Sequence, residues 1–372
     1  MKPRIAPSVG RSAQRGLTLI ELMISITIGL IILGALTYIY VGSRGAYRTN
    51  ENLARVQESG RFALDFIAQD LRMTNYAGCR SRSLVADGEN RNFFNVTQPP
   101  VPFNGSADGI SGYEDGVNWT NPTASTATPI ARLAGDVLTI RRAAGMTVRI
   151  VANTDPVART VTIEHNGVGI RNGDVVVLAN CERALMFRVT NNPVTTGIGN
   201  FPTVLEYKTS GAGADGSAGN SAVVPGFFFE PDSRAVVMRF TETSYFVGQN
   251  AAGQPALYRV VGNTAEELVD GVEDMEVLYG IDTTAPEPDG RAENYVPASS
   301  LLAAPATPNA GQVVSVRMSL LVRGPENSIT TGAQTYAFRD TDGDGAPETQ
   351  TAPDRRLRQV FTTTVALRNR IL

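Results

Sequence analysis

The residues able to do chemistry in this chain are few and far apart. One histidine, His165, and two cysteines, Cys79 and Cys181, stand among 372 residues. Structural zinc takes four nitrogen or sulfur ligands at short spacings, so these three residues do not build such a site by themselves. A Ser-His-Asp triad would have to use His165, in "TIEHNGVG", and no G-x-S-x-G turn accompanies it. Next to Asn166-Gly167, His165 reads as a strand end or hairpin residue. No enzymatic activity is expected; a hydrolase built on a carboxylate pair is the one catalytic reading left open.

The acidic residues offer more. "DTDGDGAPET" (340–349) sets Asp340, Asp342 and Asp344 at every second position, followed by Gly345. That spacing is the first half of a calcium loop: alternating carboxylates converge on one cation and the glycine allows a sharp turn. Glu348 is a further candidate ligand, directly or through water. The twelfth position, however, is Thr351 rather than a bidentate Glu, and no helix pattern flanks the loop. The alternative is an acidic Asp-Gly hairpin turn between "TYAFRD" and "RLRQVF".

The most telling carboxylate is Glu21, in "RGLTLIELMISITIGLIILG" (15–34). Residues 1–16 carry Lys2, Arg4, Arg11 and Arg15 and no acid, and Leu17 to Tyr40 then contains one charge. A helix over that run is about 36 Å long, enough for a hydrocarbon core of about 30 Å. The basic flank places the N-terminus in the cytoplasm and the rest of the chain on the far side. A charge in lipid costs roughly 2.5–3.5 kcal/mol when unpaired. A secretory signal would end at a small-x-small site, and "LGALTYIYVGSR" offers only weak ones. A plain anchor explains the length but not Glu21.

The arrangement in "G LTLIE" resembles the type IV pilin-like signal: a Gly, an apolar first mature residue, and a Glu fifth from the cut. The resemblance implies that a prepilin peptidase cuts between Gly16 and Leu17 and that the apolar helix is retained. It further implies that Leu17 is N-methylated and that Glu21 pairs with the N-terminal amine of a neighbouring subunit during assembly. A carboxylate in lipid is tolerable when an incoming subunit supplies an ammonium group. Leu17 departs from the phenylalanine commonest at that position in the family.

These residues need elements to place them. After Asn50 the helical pattern continues and turns amphipathic. Leu53, Val56, Ala63, Ile67 and Leu71 recur at helical spacing, and Phe62 and Phe66 widen the apolar face. One helix is expected from about Leu17 to about Asn75, with Gly78 suited to its end. Residues 83–129 read as loops, as do 209–226 and 282–311. Strand signals follow in "DVLTIRR", "TVTIEH", "DVVVLANC", "ALMFRVT", "AVVMRFTETSYFVG", "ALYRVVG", "DMEVLYGID", "VVSVRMSLLVRG" and "RQVFTTTVALRNR". In the eighth, Val314, Val316, Met318, Leu320 and Val322 alternate with Ser315, Arg317, Ser319, Leu321 and Arg323, the pattern of a half-buried strand. Strands without intervening helices predict antiparallel sheets and an α+β class. The expected organisation is a leader (1–16), a membrane or filament-core helix (17–40), its amphipathic continuation (41–78) and an extracytoplasmic β-rich domain (79–372).

In an oxidising compartment Cys79, just after the helix, and Cys181, ending a strand, are expected to pair and tie helix to sheet; the alternative is two buried thiols. A net charge of −3 gives no basic footprint for nucleic acid. Beyond the N-terminus the chain resembles PilW-type minor pilins, through "ESGRFALDFIAQDLRMTNYAGC", "DVVVLANCERALMFRVT", "ELVDGVEDMEVLYGID", "VVSVRMSLLVRG" and "RLRQVFTTTVALRNR". The resemblance implies a low-copy subunit that joins other minor pilins in a priming or tip complex on the inner-membrane assembly platform. Major pilin and a large tip adhesin are the further partners, with twitching motility, attachment and DNA uptake as outcomes. Two other readings compete: a J-type minor pseudopilin of a type II secretion system, and a membrane-anchored calcium-binding adhesion domain.

Overall fold

In the computed structural model the described residues are 18–78, 93–101, 109–124, 126, 129–194, 201–210, 219–222, 228–284, 289–301, 310–340 and 347–369. The chain divides into two units, residues 1–53 and 54–372. The described part of the first unit is helical. It belongs to α1 (Leu19–Arg72), whose early residues, such as Ile20, Met23, Leu30, Ile31 and Leu36, are exposed. By length and composition this helix is able to cross a membrane. Three aliphatic hydroxyls inside its apolar run are satisfied without water. Ser25, Thr27 and Thr37 donate to the carbonyls of Glu21, Met23 and Leu33 at 2.7, 2.8 and 2.8 Å, as a lipid environment requires.

The second unit starts from the remainder of α1. Val56, Ala63, Ile67 and Leu71 are buried, at spacings that keep them on one helical face. Leu53, Phe62 and Phe66 are not buried with them: they are 36, 52 and 40% exposed. The helix stops at Arg72, three residues before the expected Asn75, and Asn75 itself turns the chain with φ 63.

The strands are β1 (Phe93–Asn95), β2 (Thr97–Gln98), β3 (Ile110–Tyr113), β4 (Arg132–Arg149), β5 (Thr160–Ile163), β6 (Val175–Ala179), β7 (Ala184–Arg188), β8 (Thr203–Glu206) and β9 (Gly219–Asn220). They continue as β10 (Val236–Gln249), β11 (Pro255–Val261), β12 (Thr264–Asp270), β13 (Val272–Ile281), β14 (Asn294–Val296), β15 (Val313–Arg323), β16 (Thr335–Ala337), β17 (Thr349–Thr351) and β18 (Arg358–Ala366). An eight-stranded sheet runs β1-β7-β6-β10-β11-β12, with β4 beside β10 and β3 beside β4; a four-stranded sheet runs β14-β13-β15-β18. The class is α+β. Pairings are antiparallel except β1 with β7, which is parallel. Residues 83–129, 209–226 and 282–311 are therefore not all loop, since they hold β1 to β3, β9 and β14.

The alternation in β15 holds for its inner face, but Ser315 and Leu321, expected on the open face, are buried as well, so the strand is covered on more than one side. Val316, Met318, Leu320 and Val322 are fully buried and meet Val56, Ala63, Ile67 and Leu71 of α1 in one core, with Tyr245, Val247, Met275 and Val277 from β10 and β13. Burying each larger apolar side chain contributes about 1.5–3 kcal/mol. A separate core gathers β5 to β8 around Phe187, Leu178 and Tyr207.

Candidate functional site

The residue singled out for assembly sits where the helix begins. The Thr18 carbonyl accepts the Leu22 amide at 3.1 Å, and the Glu21 amide donates to Thr18 Oγ1 at 3.3 Å. The Thr18 hydroxyl in turn lies 3.5 Å from Glu21 Oε2. Thr18 is thus the N-cap and Glu21 the third helical residue, half of a capping box in which a hydroxyl satisfies an otherwise orphaned amide. A carboxylate in the first turn is also favoured by the helix dipole. Glu21 is exposed, and among the described residues no cation is paired with it. A Cβ added at Gly29, Gly34, Gly42 or Gly45 would meet nothing within 4 Å. These small positions are open for close approach by another helix.

At the other end α1 is fixed by polar contacts that its sequence does not announce. Asp70 receives Arg142 Nη2 on Oδ1 at 2.7 Å and the Tyr245 hydroxyl on Oδ2 at 2.6 Å. Burial, with Asp70 alongside, pushes the Tyr245 pKa well up, so the phenol stays a donor. Asn369 donates to the Thr74 carbonyl at 2.9 Å and so ties the chain's end to the turn after α1. Midway, α1 crosses β18 so closely that a Cβ on Gly60 would stand 2.4 Å from the Phe361 ring. Only glycine permits that approach without a shift.

Of the other sequence candidates, Gly16, Leu17, Cys79, Asp342 and Asp344 lie outside the described residues. Cys181 is exposed in the turn between β6 and β7. Gly78, the neighbour of Cys79, packs against Ala179: a Cβ on it would lie 3.2 Å from the Ala179 Cβ. Asp340 and Glu348 flank the connection of the β16–β17 hairpin, where Phe338 N donates to the Glu348 carbonyl at 3.1 Å and Glu348 N to the Arg339 carbonyl at 2.8 Å. The hairpin partner of "TYA" is therefore β17 (Thr349–Thr351), not "RLRQVF", which begins the strand that pairs with β15. His165 follows β5 and accepts the Gly167 amide on Nδ1 at 3.0 Å, an ordinary turn contact.

A second acidic group was hidden in the 282–311 stretch. Ligand atoms of Asp282, Asp289 and Glu293 lie within 4.8 Å of one another. Their oxygens already accept backbone amides of Thr284, Gly290, Arg291 and Thr283. The carboxylates thereby organise their own turn. Glu293, in particular, is lowered from the usual carboxylate range, first by the Thr283 amide.

The exposed apolar helix and its capped Glu21 lie where the chain is similar to a known motif. Residues 11–37 match the family model for the prokaryotic N-terminal methylation motif. Residues 244–369 match the model for Type IV Pilus-assembly protein W. Among solved structures, a type IV-like pilin from Thermus thermophilus is similar at 18% identity, covering 36% of this chain and 67% of that one with a TM-score of 0.21. No curated protein matches. The chain is thus similar to the N-terminal methylation motif near its start and to a type IV pilus-assembly protein over its last third. That matched stretch contains Tyr245, Met275, Val277, Met318, Leu320 and Phe361, the strand residues that hold α1; the β5–β8 core lies before it.

Proposed function

We propose that this chain is a minor pilin that takes part in priming and tip assembly of a type IV pilus. The observation that carries the reading is Glu21, an exposed carboxylate at the head of an apolar helix, hydrogen-bonded to Thr18 and without a cation among the described residues. Before assembly the helix anchors the protein in the inner membrane with the β-rich domain in the periplasm. A prepilin peptidase removes residues 1–16, Leu17 is N-methylated, and its neighbour's ammonium group meets Glu21. Other minor pilins, major pilin, the assembly platform and a large tip adhesin are the proposed partners, and twitching and attachment the proposed outcomes. The match to the pilus-assembly domain favours this over the pseudopilin reading.

The Cys79–Cys181 disulfide belongs to the same proposal and is supported by Gly78 lying against Ala179, two residues before Cys181. Closing a loop of that size stabilises by up to about 4–5 kcal/mol in the chain-entropy account. Calcium at Asp340, Asp342, Asp344 and Glu348 is a separable part of the proposal and rests on their spacing alone. Asp342→Ala should then lower the melting temperature only with calcium present; equal melting of the wild-type chain with and without the ion would remove the site.

The deciding experiment is mass spectrometry of the N-terminus of the protein taken from cells. An N-methylated Leu17 is expected. An intact Met1, or a cut beyond Tyr40, would overturn the pilin reading.

A further inference from the structure

Arg339 fastens the β16–β17 hairpin to the body of the second unit. It lies two residues beyond β16, and its guanidinium reaches a cluster of carboxylates from three elements. Nη1 donates to Asp115 Oδ1 at 2.8 Å; Nη2 donates to Asp274 Oδ1 at 2.8 Å and to the Met275 carbonyl at 3.2 Å. Asp136 Oδ1 stands 3.8 Å from the same Nη2.

Asp136 holds the place together. Its Oδ1 accepts the Asp115 amide at 3.0 Å and its Oδ2 the Val277 amide at 2.8 Å, so one carboxylate joins β4, the turn after β3, and β13. A bulge aims it there. Leu138 is opposite Tyr245 and Ala134 opposite Val247, so β4 has surplus residues between them. Gly135, at φ +80, makes the turn, and a Cβ on it would fall 2.6 Å from Asp274 Oδ1.

Three carboxylates thus face one guanidinium: Asp136 and Asp274 are largely shielded from water with Arg339, whereas Asp115 is open to it. The other titratable or charged groups around them are Glu276 and the buried Tyr279 hydroxyl on β13, Tyr113 on β3, Asp340 on the hairpin, and Arg132 on β4. A further carboxylate, Glu276, accepts the Asp340 amide on Oε1 at 3.2 Å, and the remaining hold is neutral. Gln334 exchanges hydrogen bonds of 2.7 and 2.9 Å with the Arg358 backbone, and the Phe338 ring is buried.

We propose that Asp136 and Arg339 form a pH-set latch: ionised carboxylates grip the guanidinium, and protonating them loosens the hairpin at its Arg339 end. Burial, outweighing two backbone amides and Arg339, pushes the Asp136 pKa up to about 6, and burial likewise raises Asp274. The latch therefore opens under mild acid, well above the range where ordinary carboxylates protonate.

Hydrogen exchange of the detergent-solubilised full chain tests this, at about pH 7.5 and about pH 5 with intrinsic rates corrected. Amides in 335–340 and 347–351 should lose protection by about tenfold at the lower pH, the loss of one charge-assisted contact, while β15 and β18 keep theirs. Asp136→Asn should show the looser hairpin at both pH values. Unchanged hairpin protection in the wild-type chain would overturn the latch, and needs no variant to be read. Acid loosening that persists undiminished in a folded Asp136→Asn chain would also overturn it.

Discussion

The Tyr245 hydroxyl donates to Asp70 at 2.6 Å, joining residues 175 positions apart in the chain. The contact sets where α1 ends relative to β10, and Arg142 completes it at 2.7 Å. Removing the carboxylate would strand a buried phenol and a guanidinium together. Asp70→Ala should therefore destabilise the folded chain by about 3 kcal/mol, against about 1 kcal/mol for Tyr245→Phe, which removes one donor. Denaturant unfolding followed by the fluorescence of Trp119, whose ring centroid lies 5.0 Å from that of Phe246, would read both. Equal losses would mean that packing, not the carboxylate, holds the helix end.

How much of this could be read in the sequence depended on how local each signal is. The long helix and the inner face of β15 were legible, because periodicity is written within a few consecutive residues. Periodicity does not say which apolar face is covered, and so Phe62 and Phe66 were assigned inward although they are exposed. The parallel pairing of Phe93–Asn95 with Ala184–Met186 was not legible: three residues carry no pattern, and the partner is some ninety positions away. Among the site residues, Thr18 has a local signature, since Thr-x-x-Glu before an apolar run marks a helix start. Asp136 and Arg339 have none. Their environment comes from a bulge and from strands distant in sequence, and only the folded chain brings them together.

Gly60 should resist substitution in a way its helix position does not foretell. In an open helix Gly→Ala stabilises by about 1 kcal/mol. Here the new methyl would fall 2.4 Å from the Phe361 ring. Gly60→Ala is expected to cost about 1–3 kcal/mol instead, and Phe361→Leu to recover part of that loss in the double variant. A strictly additive double-mutant cycle would show that the helix does not depend on this crossing.

The Asp136 carboxyl gives stability a pH dependence of unusual sign. Its pKa is about 6 in the folded chain against an ordinary 3.8, so the folded state holds the proton more tightly. Between those values the folded chain binds more protons than the unfolded one, and the contribution falls as pH rises. Fully present below the ordinary carboxylate pKa, it is lost through about pH 6 and is worth on the order of 2–3 kcal/mol. Acid thus favours the fold at this residue while weakening the grip on Arg339, because the burial penalty exceeds the attraction. Stability curves over this window should be less steeply negative with pH in Asp136→Asn than in wild type. Parallel curves would place the proton elsewhere.

The proposed function gives Glu21 two tasks, capping its own helix and pairing with another subunit, and one substitution separates them. Glutamine serves at the third position of a capping box as glutamate does, but it brings no charge. Glu21→Gln should keep the helix start and the processing at Gly16, yet fail in assembly as fully as Glu21→Ala, because a neutral amide gains little from an ammonium group. Thr18→Val should do the reverse: it removes the cap, at about 1 kcal/mol, and leaves the charge to recruit its partner, so assembly is reduced rather than lost. Counting pili on cells expressing each variant, with N-terminal mass spectrometry to confirm processing, distinguishes the outcomes. Normal piliation in Glu21→Gln would mean that the carboxylate matters for its hydrogen bonds to Thr18 and not for its charge.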